Sequence, residues 1–221
     1  MTSLPRLLQL VSPSLPIGGY AYSDGLETAV ARSWITNEGE ARAWIAGRMR
    51  ESLGQCELPI LIRLLCAAAA RDAVEFARWC VFARAVKDSE ERRFADREQG
   101  AALLRLLRDL EMPGAIELAG EAPPSLAASF ALAASAWRIG ERDALIGYGY
   151  AFMEAQIAAA VKLVPLGQTA GQRICGELAG ELPRLAEAAH AVANEEIGSH
   201  APGAALAAAW HEHERVRLFR S

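Results

Sequence analysis

Residues 161–173 read VKLVPLGQTAGQR: a nearly all-apolar helix runs into Lys162, breaks at Pro165, and restarts through a polar corner carrying Gly167, Gln168 and Gln172. Proline lacks the backbone donor that a helix interior needs and clashes with the preceding turn, so the break falls there. The helix feeding this corner, from about residue 143 to residue 164, is apolar nearly all round, with Tyr148, Phe152, Ile157 and Val161. Such a helix is buried rather than laid on a surface. A corner holding a lysine, two glutamines and Arg173 on that helix belongs in a core, a partner interface or a channel.

Outward from this corner the same helical signature repeats. Much of the 52% hydrophobic fraction is alanine, in the runs at residues 67–70, 127–136 and 204–209. Alanine is the strongest helix former and lets helices pack closely. Nowhere do Val, Ile and Thr alternate as they do in strands. The expectation is an all-α fold, a single-domain helical bundle of about nine to ten helices over residues 1–221. A chain of 221 residues could also form two small domains. The best internal boundary is residues 112–124, with three prolines and two glycines, but both flanks are helical and neither is self-sufficient. One domain with a long loop there is the better reading.

Individual starts are visible. Leu4, Leu7, Leu8 and Val11 keep helical spacing up to Ser12 and Pro13; a loop with Pro16, Gly18 and Gly19 follows. Asp24-Gly-Leu-Glu27 fits a capping box with aspartate as the cap, and Asn37-Glu-Gly-Glu40 opens a helix carrying Trp44, Ile45 and Met49. Pro59 lies early in another, with Ile60, Leu61, Leu64 and Leu65 as its stripe. Asp72 and Asp88 cap two more; the second begins charged and solvated and ends amphipathic near Leu110. Later helices are expected at about 125–139, 143–164, 168–182 and 183–198, with a last one from Pro202.

A net charge of −4 gives no electrostatic reason to expect nucleic acid or an anionic membrane as partner. No uninterrupted apolar run reaches the roughly 18 residues needed to cross a bilayer, and the amino terminus lacks the long apolar core of a secretory signal. Cys56, Cys66, Cys80 and Cys175 are scattered, as reduced thiols are. A soluble, cytoplasmic protein is expected.

Chemistry-bearing candidates each carry a plain alternative. The stretch from Gly167 to Arg173 has the flavour of a phosphate loop without its Gly-Lys-Ser/Thr ending or preceding strand. His211-Glu212-His213 suggests a metal site, yet residues two apart on a helix point roughly 200° away from each other. They could chelate only if extended; otherwise they form an exposed helix end. Lys162 either complements its helix dipole and reaches water, or is a buried cation needing a partner. Glu27, by spacing alone, reads as the reciprocal half of the capping box begun by Asp24. Gly18 and Gly19 allow unusual backbone angles, with Tyr20 and Tyr22 flanking that turn as core or contact residues. The ending Arg217-Leu218-Phe219-Arg220-Ser221 sets apolar residues between arginines, as interface anchors do; it docks on a partner or back onto its own core.

Taken in order, three segments resemble the urease accessory protein UreF family. Residues 15–27 (LPIGGYAYSDGLE) look like its LPxGG(F/Y)xxSxGLE element, residues 161–173 like its VKLVPLGQ segment, and His211-Glu212 with residues 217–221 like its HE…RLFRS ending. Asp24 stands where glutamine is commoner, and residues 213–216 replace a more Thr/Tyr-like spacer. The resemblance implies an all-α, homodimeric scaffold rather than an enzyme, bridging the GTPase UreG and the scaffold UreD/UreH on apo-urease. It implies that residues 214–221, a tail with Arg217, Leu218, Phe219, Arg220 and Ser221, bind UreD/UreH together with His211 and Glu212. It further implies that Glu27 and Lys162 support the UreG step, and that nickel passes in transit with no stably bound cofactor. A transit path needs weak polar groups, and Glu27, Gln168 and Gln172 are expected near one another around it, with Tyr20 and Tyr22 beside them. Pro16, Gly18, Gly19, Pro165 and Gly167 shape the turns. Two rival readings stand: a small helical metal-dependent hydrolase using His200, His211, His213 and nearby glutamates, and a generic helical adapter.

Overall fold

A computed structural model describes residues 3–120 and 125–220, and within them the chain is helical, without a strand. Its helices are α1 (Leu4–Leu10), α2 (Leu26–Ala31), α3 (Glu38–Arg48), α4 (Leu58–Ala70), α5 (Ala73–Ala85) and α6 (Glu90–Asp109). They continue with α7 (Pro113–Ala119), α8 (Leu126–Ala136), α9 (Glu141–Leu163), α10 (Gln168–Ala179), α11 (Leu182–Ala188) and α12 (Pro202–His211). The all-α bundle expected from the alanine runs is the fold observed.

Side chains fix several starts. Asn37, Asp72 and Ser125 accept the backbone N–H groups of Glu40, Glu75 and Ala128, satisfying donors that the first turn leaves free. Ahead of α6 the cap is Ser89 rather than Asp88, accepting Arg92 N–H; the aspartate instead pairs with the Arg92 guanidinium at 2.6 Å.

The core is layered by close approach. Residues 127–134 of α8 are all buried, and α8 packs between α4 and α6. Against it, Gly100 of α6 lies so near that a Cβ there would stand 2.4 Å from the Ser125 carbonyl carbon. Ser129 Oγ, otherwise a buried orphan, donates to the Gly100 carbonyl at 2.7 Å. Helix α9 carries the other half of the core, packed by α10, α11, α4 and α2.

Three expectations change. Helices α3 and α4 are one continuous rod, joined through a π-helical stretch, Met49–Glu57. Pro59 has no N–H to offer the preceding turn, and the chain after α11 bonds to this stretch: Gly198 N–H donates to Gln55 O at 3.2 Å and His200 N–H to Glu51 O at 3.0 Å. The helix expected over 183–198 therefore stops at Ala188 and continues as short 3₁₀ turns. Within the long loop expected at 112–124, Pro113 serves as a first-turn residue and α7 forms, burying Ala115 and Ala119; residues 121–124 lie outside the described residues. The continuous rod Glu38–Ala70 and α9 are, by length and composition alone, apolar enough to span a bilayer, though charged residues interrupt both; the most apolar window of the rod is 72% buried within the fold and that of α9 56%.

Candidate functional site

The segment before α2 does not build the expected capping box. Gly18 takes a left-handed backbone (φ 72°) and turns the chain into a short 3₁₀ turn, Gly19–Ala21. Asp24 is itself left-handed and Gly25 (φ 88°) is the α2 cap; a Cβ on Gly25 would come within 3.1 Å of the α12 backbone. The Asp24 carboxylate is claimed by two arginines, Arg48 and, at 2.5 Å, Arg92. Glu27, released from any capping role, points instead at the end of the chain.

There it acts as a clamp. Leu218 N–H donates to Glu27 Oε1 at 2.6 Å and Phe219 N–H to Oε2 at 2.9 Å, while His211 Nε2 lies 3.1 Å from Oε2. The other face of the His211 ring meets Glu91, with Nδ1 2.7 Å from Oε2, and the second Glu91 oxygen holds the Arg217 guanidinium. Glu212 accepts the Glu90 and Glu91 N–H groups, helping to cap α6; Thr28 Oγ1 donates to Glu214 at 2.8 Å; Arg220 N–H donates to Ala21 O at 2.8 Å. Bonds of this kind to ionised carboxylates are about twice as strong as neutral ones. They grip the tail by its backbone, and the side chains divide accordingly. Phe219 is buried in the core, whereas Leu218 is 67% and Val216 89% exposed.

Lys162 is exposed in the last turn of α9, so it is not the buried cation that the apolar helix suggested. Its Nζ sits 5.5 Å from the centre of the Phe219 ring, within cation–π range. Thus Glu27, Lys162, His211, Glu212 and residues 217–220 converge, beside the turn carrying Tyr20 and Tyr22; Ser221 lies outside the described residues. Gln168 and Gln172 are exposed on α10, and neither of the two described cavities is lined by them or by Glu27. Pro16 and Pro165 are exposed at their turns, Gly19 lies close to Gln99, and Gly167 caps α10 with an extended backbone that any residue can adopt.

The expectation of an exposed His211–His213 end fails at its first residue. His211 is fully buried with both ring nitrogens facing carboxylates, His213 is exposed, and His200 is exposed on the loop held by the π-helical stretch. Among the described residues no three His, Cys, Asp or Glu side chains group to hold a metal ion.

Next to the clamp lies a feature that sequence reasoning missed. The start of α6, read as solvated, is buried on one side: Arg92 and Asp96, four apart, share a face, and Asp88, exposed just ahead of the helix, pairs with Arg92. They join Asp24, Arg48, Glu57 and Lys87 in a network of four carboxylates and three cations. Lys87 donates to Glu57 at 2.5 Å and lies 3.7 Å from Asp96; Tyr148 O–H donates to the other Glu57 oxygen at 3.2 Å. Burial pushes the Glu57 carboxyl up, but Lys87, with Arg92 adding to it, brings it below the ordinary range. Asp24 behaves likewise, its burial outweighed by Arg48 and Arg92. At Asp96 burial prevails over Lys87 and the pKa is raised. Asp24, Glu57, Lys87, Arg92 and Asp96 line a cavity of about 170 Å³ whose wall includes Tyr20, Tyr22 and Gln156. The four-residue spacing of opposite charges in α6 was the signal available for it.

Comparison with known proteins places this geometry. The family model described as UreF matches residues 35–179. The urease accessory protein UreF of Alkalilimnicola ehrlichii is 43% identical over 216 residues, 98% of this chain and 95% of the relative. The chain belongs to the UreF family. Its likeness to the urease accessory protein UreF of Teredinibacter turnerae, 41% over 220 residues, covers 99% of this chain and 98% of the relative; for Azoarcus the figures are 42% over 223 residues, 99% and 95%. The family match stops short of both Glu27 and the tail, so the clamp joins two ends that only the whole-chain UreF relatives span.

Proposed function

We propose that this chain is a urease-maturation scaffold without chemistry of its own. It bridges UreD/UreH and the GTPase UreG on apo-urease while nickel passes as cargo, and it works as a cytoplasmic homodimer. The observation supporting this most directly is the convergence of the three segments that resemble the family, where Glu27 holds the tail and Lys162 faces Phe219. A tail gripped by its backbone presents Leu218 outward as an apolar anchor for UreD/UreH. Lys162 and the exposed glutamines of α10 offer a polar flank suited to UreG, and GTP hydrolysis belongs to that partner. Nickel in transit calls for weak, successive ligands rather than a closed site.

The test is co-purification. Removing residues 218–221 should abolish capture of UreD/UreH while leaving helicity intact, and nickel loading of co-expressed apo-urease should fall with it. Normal capture and normal nickel content in the truncated protein would overturn the reading.

A further inference from the structure

His211 closes the clamp from within. It is fully buried, and its two ring nitrogens face the two carboxylates that hold the tail: Glu27, which takes the Leu218 and Phe219 N–H groups, and Glu91, which takes the Arg217 guanidinium. A neutral imidazole has one N–H and one lone pair. With a single proton it could donate to only one carboxylate, leaving acceptor against acceptor at the other in a place closed to water. The doubly protonated ring donates to both. Two carboxylates, Glu27 and Glu91, are then balanced by two cations, His211 and Arg217.

The geometry points to His211 as the positioning residue of the carboxyl-terminal tail: by bridging Glu27 and Glu91 it sets both carboxylates that grip the tail. Calling the docked tail a presented one rests on the scaffold reading above; the docking itself does not. The charged groups around the ring are few. Glu27 comes from α2 and Glu91 from α6; on the tail side Glu214 is engaged by Thr28, Arg217 by Glu91, and Glu212 by the start of α6. From α9, Lys162 stands beyond the Phe219 ring.

Amide hydrogen exchange at Leu218 and Phe219 in the full chain reads this directly, with the amides of the buried helix α8 as internal reference. His211→Gln, whose amide can donate towards one side only, should lose most of the protection at these two amides while α8 keeps its own. Glu91→Gln, which leaves Glu27 in place, should lower the same protection by a smaller factor while the helical signal stays unchanged. Wild-type protection at Leu218 and Phe219 in His211→Gln would overturn the assignment; should that variant not fold, wild-type protection in Glu91→Gln overturns it instead. Because no partner takes part, failure here is separate from failure of the scaffold role.

Discussion

Lys87→Met tests the buried charge network most sharply, because one ammonium serves two carboxylates. Lys87 is 9% exposed, donates to Glu57 at 2.5 Å and stands 3.7 Å from Asp96. Methionine keeps most of the volume, so the change removes charge rather than packing. Breaking one partner from a buried pair costs about 3–5 kcal/mol. Tyr148 and the Leu126 N–H still donate to the stranded carboxylates, which holds the loss near the middle of that range, about 4 kcal/mol. For a chain of this size that lowers Tm by about 8–16 °C. The pH dependence supplies the sign. In the wild type Glu57 is held below its ordinary range, so its contribution is present at neutral pH and fades as pH falls through the acid range. In the variant burial is opposed chiefly by Arg92, both carboxyls resist ionisation, and the protein gains stability as pH falls from about 7 to about 5. Urea unfolding at both pH values, followed by tryptophan fluorescence and circular dichroism, measures the gap. A loss under about 1 kcal/mol at neutral pH, or a gap that does not narrow in acid, would refute the reasoning.

Three further outcomes follow from packing and exposure. Gly100→Ala should destabilise at the upper end of the overpacking range or beyond, about 3 kcal/mol, because its Cβ would meet backbone atoms of Ser125 that cannot swing away; an unchanged thermal midpoint would contradict the α6–α8 contact. Phe219→Ala should detach the tail and speed tryptic cleavage after Arg217 at least about tenfold, a loss of roughly 1.4 kcal/mol of local docking, whereas Leu218→Ala should leave cleavage unchanged yet weaken UreD/UreH capture. Lys162→Ala, at an exposed position, should shift stability by no more than about 0.5 kcal/mol while uncoupling GTP use from urease activation; unchanged activation per GTP hydrolysed would reduce the lysine to a helix-end charge.

The fold was legible where a short window carries the physics. Asn37, Asp72 and Ser125 announce helix starts because a cap bonds within three residues of itself. The joining of α3 to α4 was not legible. Pro59 reads locally as a start, and the bonds that the distant loop at Gly198 and His200 makes to Gln55 and Glu51 carbonyls of the π-helical stretch lie far outside any short window. The Asp24–Glu27 box failed for the same kind of reason. Its spacing fits, but Arg48 and Arg92, far along the chain, claim the aspartate, and a charge-assisted pair outweighs a cap.

That failure bears on how the tail works. Folding back onto the core and offering itself to a partner looked like alternatives when only residues 217–221 were in view, since one surface cannot do both. The clamp separates the two demands by atom type. Glu27 takes backbone N–H groups, and Phe219 supplies the buried anchor. The Leu218 side chain is thereby held outward in one orientation, its backbone already ordered before any partner arrives. Ordering a free tail at the moment of binding would cost about 1–2 kcal/mol for each residue's backbone. On the proposed function, a clamp that meets this cost in advance strengthens capture without adding a contact to the partner. A loosened clamp should then weaken UreD/UreH binding even when every side chain of the tail is intact: Glu27→Gln, keeping Leu218 and Phe219 in place, should reduce capture at least about tenfold, and undiminished capture would show that the partner orders the tail for itself.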